Sequence, residues 1–285
     1  MLAIRPRTLP AAAAGVIMGS ALAWRDGFFR LDAALACLLS ALLLQIGSNL
    51  ANDVFDFERG TDTPERVGPV RVTQAGLLRP SQVKAGMIVV FALAAVFGLY
   101  LAWLGGWPII LIGVAAILSA IAYTGGPFPL GYYGLGDLFV FIFFGLASVA
   151  GTYYVQAGFV STAAWWMTIP PGLMITAILV VNNLRDLEND RKVGKHTLAV
   201  ILGEQATKIQ YLICMTAAYL VLPLAAGLGV IPWLSLLAWA SLRLAIRATG
   251  VVFTQRGRPL NAALAGTGQT ALLFSILFWI GLSFK

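Results

Sequence analysis

Nine stretches of this chain are apolar over about the length a helix needs to cross a bilayer, and no other feature limits the fold as tightly. At about 1.5 Å of rise per residue, some twenty residues span roughly 30 Å of hydrocarbon. Runs of that kind fall at residues 9–24, 32–52, 82–104, 107–124, 135–155, 164–184, 206–228, 231–250 and 262–282. Only 11% of the residues are charged, whereas a soluble domain carries about a quarter. The pattern predicts an all-α, polytopic membrane protein with about nine transmembrane helices and excludes a water-solvated core. The first run, with Arg5 and Arg7 ahead of it and Ala21-Leu22-Ala23 near its end, has the outline of a signal peptide. Eight further spans after it favour a retained first helix.

Charge sets the expected topology. With nine spans, all but three of the 19 Lys and Arg (Arg25, Arg30 and Lys285) fall on the side that holds the amino terminus. The positive-inside bias then places that terminus in the cytoplasm of an inner-membrane protein. The net charge of +7 is thus topological and calls for no nucleic acid. Cys37 and Cys214 sit inside apolar runs and read as small packing residues. His196 is the single histidine, so a His-based metal site and a Ser-His-Asp triad are both excluded.

Polar side chains concentrate at two points. Asn49, Asn52, Asp53 and Asp56 close the second run, and Asn182, Asn183, Asp186 and Asp190 close the sixth. Within each group the main members are three or four residues apart and share a helical face. Of the twelve acids, only Asp26, Asp32 and Asp137 lie outside the segments that follow spans two and six. Helix ends at a membrane surface often carry acids that are merely solvated. Asparagines within the span need another reason, because an unpaired amide there is costly.

Oxygen donors without His or Cys suit a hard divalent cation. Mg²⁺ in particular is usually held by one or two carboxylates together with a substrate's phosphates. Basic residues follow both clusters: Arg66 and Arg71 the first, and Arg191, Lys192 and Lys195 the second. They can be read as half of a diphosphate clamp or as ordinary cytoplasmic-side cations. Arg71 and Lys195 stand nearest short glycine turns at Gly68 and Gly194. Together the clusters imply a central, lipid-accessible chamber capped by cytoplasmic loops, suited to an anionic head on a long apolar tail. The rival class is a cation transporter. It would place acids near the bilayer midplane, and spans three, four, seven, eight and nine contain none in their interiors.

At these residues the chain resembles the UbiA superfamily of intramembrane prenyltransferases. The stretch Asn52-Asp53-Val54-Phe55-Asp56 with Asp62, and Asp186 with Asp190, match that family's two acidic motifs. Further stretches are similar to the branch that prenylates 1,4-dihydroxy-2-naphthoate for menaquinone synthesis. These are residues 65–73, 123–131 with 134–137, and 182–200, together with Arg5-Pro6-Arg7-Thr8-Leu9-Pro10. The lysine that many relatives carry four residues after a tyrosine is missing, since Pro127 stands four residues after Tyr123.

The resemblance implies a single prenyltransferase domain over residues 1–285, with a polyprenyl diphosphate and dihydroxynaphthoate as substrates and Mg²⁺ as cofactor. Asn52, Asp53, Asp56, Asp62, Asp186 and Asp190 are the expected metal ligands. Of these, Asp53, Asp56, Asp186 and Asp190 are the catalytic candidates. Asn49, Asn52, Arg66, Arg71, Tyr123, Asp137, Asn183 and Lys195 are the expected substrate contacts. Tyr123 would face a developing carbocation or anchor a helix end. Asp137 would position the acceptor or act as a plain helix N-terminal acid. Nothing in the sequence fixes the prenyl chain length or an oligomeric state.

Overall fold

The computed structural model describes residues 2–62 and 67–284. These residues form no strand. Their helices line up as nine rods: α1 (Leu9–Arg25), α2 (Leu31–Glu58), α3 (Pro80–Gly105), α4 (Trp107–Ala122), α5 (Gly136–Ala157), α6 (Thr162–Lys192), α7 (Glu204–Gly227), α8 (Trp233–Thr254) and α9 (Leu260–Ser283). Seven of them are long and apolar enough to cross a membrane; α4 is apolar but shorter, and α1 has 17 residues. The nine expected spans correspond to these rods one for one. Two have irregular cores. Residues Phe141–Ala150 of α5 are π-helical, and Trp233–Ser241 of α8 are a 3-10 helix.

The main core lies among α1, α5, α6, α7 and α9. There Met18, Tyr153, Met174, Tyr211, Phe274 and Phe278 are fully buried. A second packing layer joins α2 to α3, where Leu50, Ala51 and Val54 meet Val83, Met87 and Phe91. The outer faces of α3 and α4 do the opposite. Leu99 and Trp103 are 68% and 79% exposed, and Trp107, Leu111 and Leu118 also face outward. Such a belt is unfavourable in water and favourable against lipid tails.

Small residues let the rods approach closely, as membrane helices require. A Cβ at Gly145 would stand 2.7 Å from the Thr168 carbonyl oxygen and 2.9 Å from the Gly172 Cα, so α5 and α6 touch backbone to backbone. Gly145→Val is therefore expected to lower stability by about 1–3 kcal/mol, read as a lower thermal midpoint in detergent. An unchanged midpoint would show that the contact is looser than it stands here.

The acidic helix ends of α2 and α6 terminate alike. Each closes with a glycine in the left-handed region, Gly60 (φ 67°) and Gly194 (φ 74°). The next residue's amide returns to the carbonyl five residues back: Thr61 N donates to Asp56 O at 3.0 Å, and Lys195 N to Asp190 O at 2.9 Å. These are Schellman closures, which only a residue tolerant of positive φ completes without strain. They turn both chains back over the same end of the bundle.

Candidate active site

A cavity of about 390 Å³ opens between the ends of α2 and α6 and runs down into the bundle. Its deep walls are apolar, with Leu44, Leu101, Ile109, Ile112, Phe143 and Val155. Its mouth is polar, with Asn49, Asn52, Asp56 and Asp62 on one side and Asn182, Asn183, Asp186, Asn189 and Asp190 on the other. Arg71, Lys195, Tyr123 and Tyr132 complete the rim. The helical spacing explains each row, the packing of the rods sets the two rows on opposite walls of the cavity, and the two glycine closures deliver Thr61 and Lys195 to Asp56.

Asp56 is the hub. Its buried carboxylate accepts from Arg71 Nη2 at 2.7 Å, Lys195 Nζ at 3.0 Å and the Tyr132 hydroxyl at 2.6 Å. Thr61, the residue delivered by the first closure, donates to it at 3.3 Å. Arg71 also reaches Asp62, with Nε 3.3 Å from Oδ2. Lys195, delivered by the second closure, stands 4.5 Å above the Tyr132 ring. Burial and the Asp56 carboxylate both raise the Tyr132 phenol above its ordinary range, so it stays protonated and donates. The arrangement places two cations against one carboxylate at the mouth of an apolar cavity. An arriving anion can compete for both.

The second row has its own cation. Arg185, with its side chain wholly buried, donates to Asp186 at 2.9 Å and to Asn182 and Asn261 at 2.8 Å each. It fixes the direction of Asp186 and ties α6 to the start of α9.

Other expected site residues take different positions. Asp53 is buried but is not among the residues lining the cavity. Its two oxygens accept the amides of Val72 and Thr73, both at 3.0 Å, and so hold the segment that carries Arg71. Asn49 donates to Ile4 O at 2.9 Å and Thr8 Oγ1 at 3.0 Å, which fastens the amino-terminal segment across the rim. Asn52 accepts from the Thr124 hydroxyl at 3.1 Å. Tyr123 is wedged between Gly131 and Gly136, where an added Cβ would meet its ring or hydroxyl at 2.9 Å. Asp137 lies behind the wall, its carboxylate taking the Gln210 amide at 3.2 Å. Arg66 lies outside the described residues.

Tyr132, Thr61 and Arg185 join the site without being among the residues the sequence singles out. Arg185 lies inside the second cluster, and its position beside Asp186 was a usable signal. Tyr132 had none, because it reaches Asp56 from a loop 76 residues away.

The sequence profile of the UbiA prenyltransferase family matches residues 12–266. The chain belongs to that family. It is 39% identical to the 1,4-dihydroxy-2-naphthoate octaprenyltransferase of Haemophilus influenzae, over 98% of this chain and 93% of that one. The Escherichia coli enzyme of the same name is also 39% identical at the same coverage, and that of Bacillus subtilis is 32% identical over 98% and 90%. Among solved structures, the apo UbiA homologue of Aeropyrum pernix superposes with a TM-score of 0.71 at 16% identity, covering 99% of this chain and 96% of that one. The Archaeoglobus fulgidus homologue bound to DMAPP and Mg²⁺ gives 0.64 at 14% identity, over 98% and 99%. These two likenesses show the fold, with the helices of this chain in the arrangement of those UbiA homologues.

Proposed function

We propose that this UbiA-family prenyltransferase moves a polyprenyl group from its diphosphate onto 1,4-dihydroxy-2-naphthoate, releasing diphosphate and CO₂ and giving a demethylmenaquinol. The observation that carries the reading is the polar mouth on an apolar cavity, in a chain that matches naphthoate octaprenyltransferases over nearly its whole length. The excess of Lys and Arg on one side supports a cytoplasmic amino terminus, with the cavity mouth facing the cytoplasm of the inner membrane.

The donor set suits Mg²⁺. It consists of carboxylate and amide oxygens, and among the described residues no three Asp, Glu, His or Cys side chains are grouped to hold a metal alone. A cation there would need the substrate's phosphate oxygens to complete its shell, the usual habit of Mg²⁺. Asn52, Asp56 and Asp62 would hold one ion on the α2 side, and Asp186 and Asp190 a second on the α6 side. When bound, Mg²⁺ neutralises the diphosphate and makes it a better leaving group.

The chain's own side chains would do the rest. Arg71 and Lys195 would pass from Asp56 to the diphosphate oxygens as these arrive, exchanging one anion for another. Their charge favours the departing diphosphate more than the bound ester, because negative charge grows on it as the allylic C–O bond breaks. The Tyr123 ring at the rim offers a π face to the positive charge left on the prenyl carbon. The apolar walls exclude the water that would otherwise capture it. The electron-rich dihydroxy ring then forms the new C–C bond, and loss of its carboxylate as CO₂ restores aromaticity.

The test is direct. Purified protein with Mg²⁺, a polyprenyl diphosphate and a panel of aromatic acids should give the decarboxylated, prenylated naphthalene-diol by mass. EDTA should abolish the product and Mg²⁺ restore it. Product from another acceptor but none from the naphthoate would overturn the acceptor, and full turnover in EDTA the metal.

A further inference from the structure

Arg243 and Arg247 lie on α8 itself, one helical turn apart. They stand about 16 Å and about 10 Å short of Thr254 along the axis, well within a helix built to cross roughly 30 Å of hydrocarbon. Both are exposed, and among the described residues neither has a carboxylate or hydrogen-bond partner. An unpaired guanidinium at that depth is costly, and it ordinarily finds a partner or extends to the interface, where lipid phosphates lie.

The described residues offer none. The described acids near this end of the bundle are committed elsewhere. Glu204 pairs with Lys208 and Arg256, Glu188 with Arg191, and Glu58 with Lys84. Asp32 and Asp26, which begin and end helices at the opposite side, pair with Arg30 and Arg25. Among the described residues, a second copy would therefore bring its own arginines and only acids already paired with other cations. Beside the pair, Ile246 and Gly250 line an apolar groove with Leu212, Met215 and Leu220 of α7. Phosphate from the nearer leaflet would meet the arginines as their side chains extend toward the headgroups, and an acyl chain would lie in the groove.

We propose that Arg243 and Arg247 form a binding site for an anionic phospholipid, separate from the cavity between α2 and α6. The site is independent of the prenyl-transfer reading, so either can fail without the other.

Native mass spectrometry of the full chain released from mixed phosphatidylglycerol and phosphatidylcholine nanodiscs tests it. The protein should retain phosphatidylglycerol preferentially. R243Q/R247Q should reduce that preference by about 25-fold, at roughly fivefold per arginine, and R243K/R247K should retain most of it. The thermal midpoint of each variant, measured in detergent, checks folding. Three results would overturn the proposal: no headgroup preference in the unaltered protein, full preference in R243Q/R247Q, or loss of the bound lipid to excess inorganic phosphate. A dimer that R243Q/R247Q dissolves would assign the surface to a second copy instead.

Discussion

Asp56→Asn is expected to cut prenyl transfer by about 10²–10³-fold, the scale seen when one preorganised electrostatic group is lost. The change is isosteric and removes only charge and acceptor capacity. Four donors converge on this carboxylate, from Arg71, Lys195, Tyr132 and Thr61. An amide has one oxygen to offer and would turn its own N–H groups toward some of them. The cation–diphosphate exchange then loses the anion from which Arg71 and Lys195 are released. Folding should survive, because Arg71 keeps Asp62 at 3.3 Å and is not left as a bare buried charge. Asp186→Asn should give a similar loss, since Arg185 would then hold an amide in place of the second carboxylate. The measurement is product formed per unit of folded protein in membranes, with Mg²⁺ varied. If both variants stay within tenfold of the unaltered protein, the assignment of the two acidic rows to the reaction fails.

Asp53→Asn should also impair the enzyme severely, by a different route. The two Asp53 oxygens accept two adjacent backbone amides, from Val72 and Thr73, in a buried setting. Asparagine can satisfy one of them and must present N–H to the other. The cost is an unmet buried donor, about 1–3 kcal/mol, together with a hydrogen bond to a charged acceptor. What this loosens is the segment that delivers Arg71 to Asp56. The expected result is a KM for prenyl diphosphate raised about tenfold or more, at that same 1–3 kcal/mol, with a smaller fall in kcat. Hydrogen exchange at residues 71–73 should speed up in parallel. Added Mg²⁺ should not rescue the variant. Restoration by Mg²⁺ would instead make Asp53 a direct metal ligand and overturn the anchoring role.

These two carboxylates show where sequence periodicity stops being informative. Asp53 and Asp56 are three residues apart on one helical face, and spacing alone treats them as equivalent. The structure separates them by what packs against each edge of α2. Residues 72 and 73 cover Asp53, whereas Asp56 opens on the cavity and the α6 closure. Asp137 differs in the same way. Its place at the start of α5 is plain from sequence, but only packing turns it toward Gln210 of α7 and away from the cavity.

By itself the sequence determined the class of fold, the number of rods and the two polar rows. Each follows from local rules: the length of an apolar run measured against a bilayer, and side chains three or four residues apart on a helix. The glycine turn at 194 is also visible in the sequence, although what it turns the chain toward is not. Tertiary structure alone decided that Arg71 and Lys195 meet on Asp56, that Tyr132 joins them from a distant loop, and that Asp53 serves the backbone. Those contacts join segments 15 to 139 residues apart, and no periodicity encodes such distances. They are fixed by which helix ends the packing of small residues brings to the same side of the bundle.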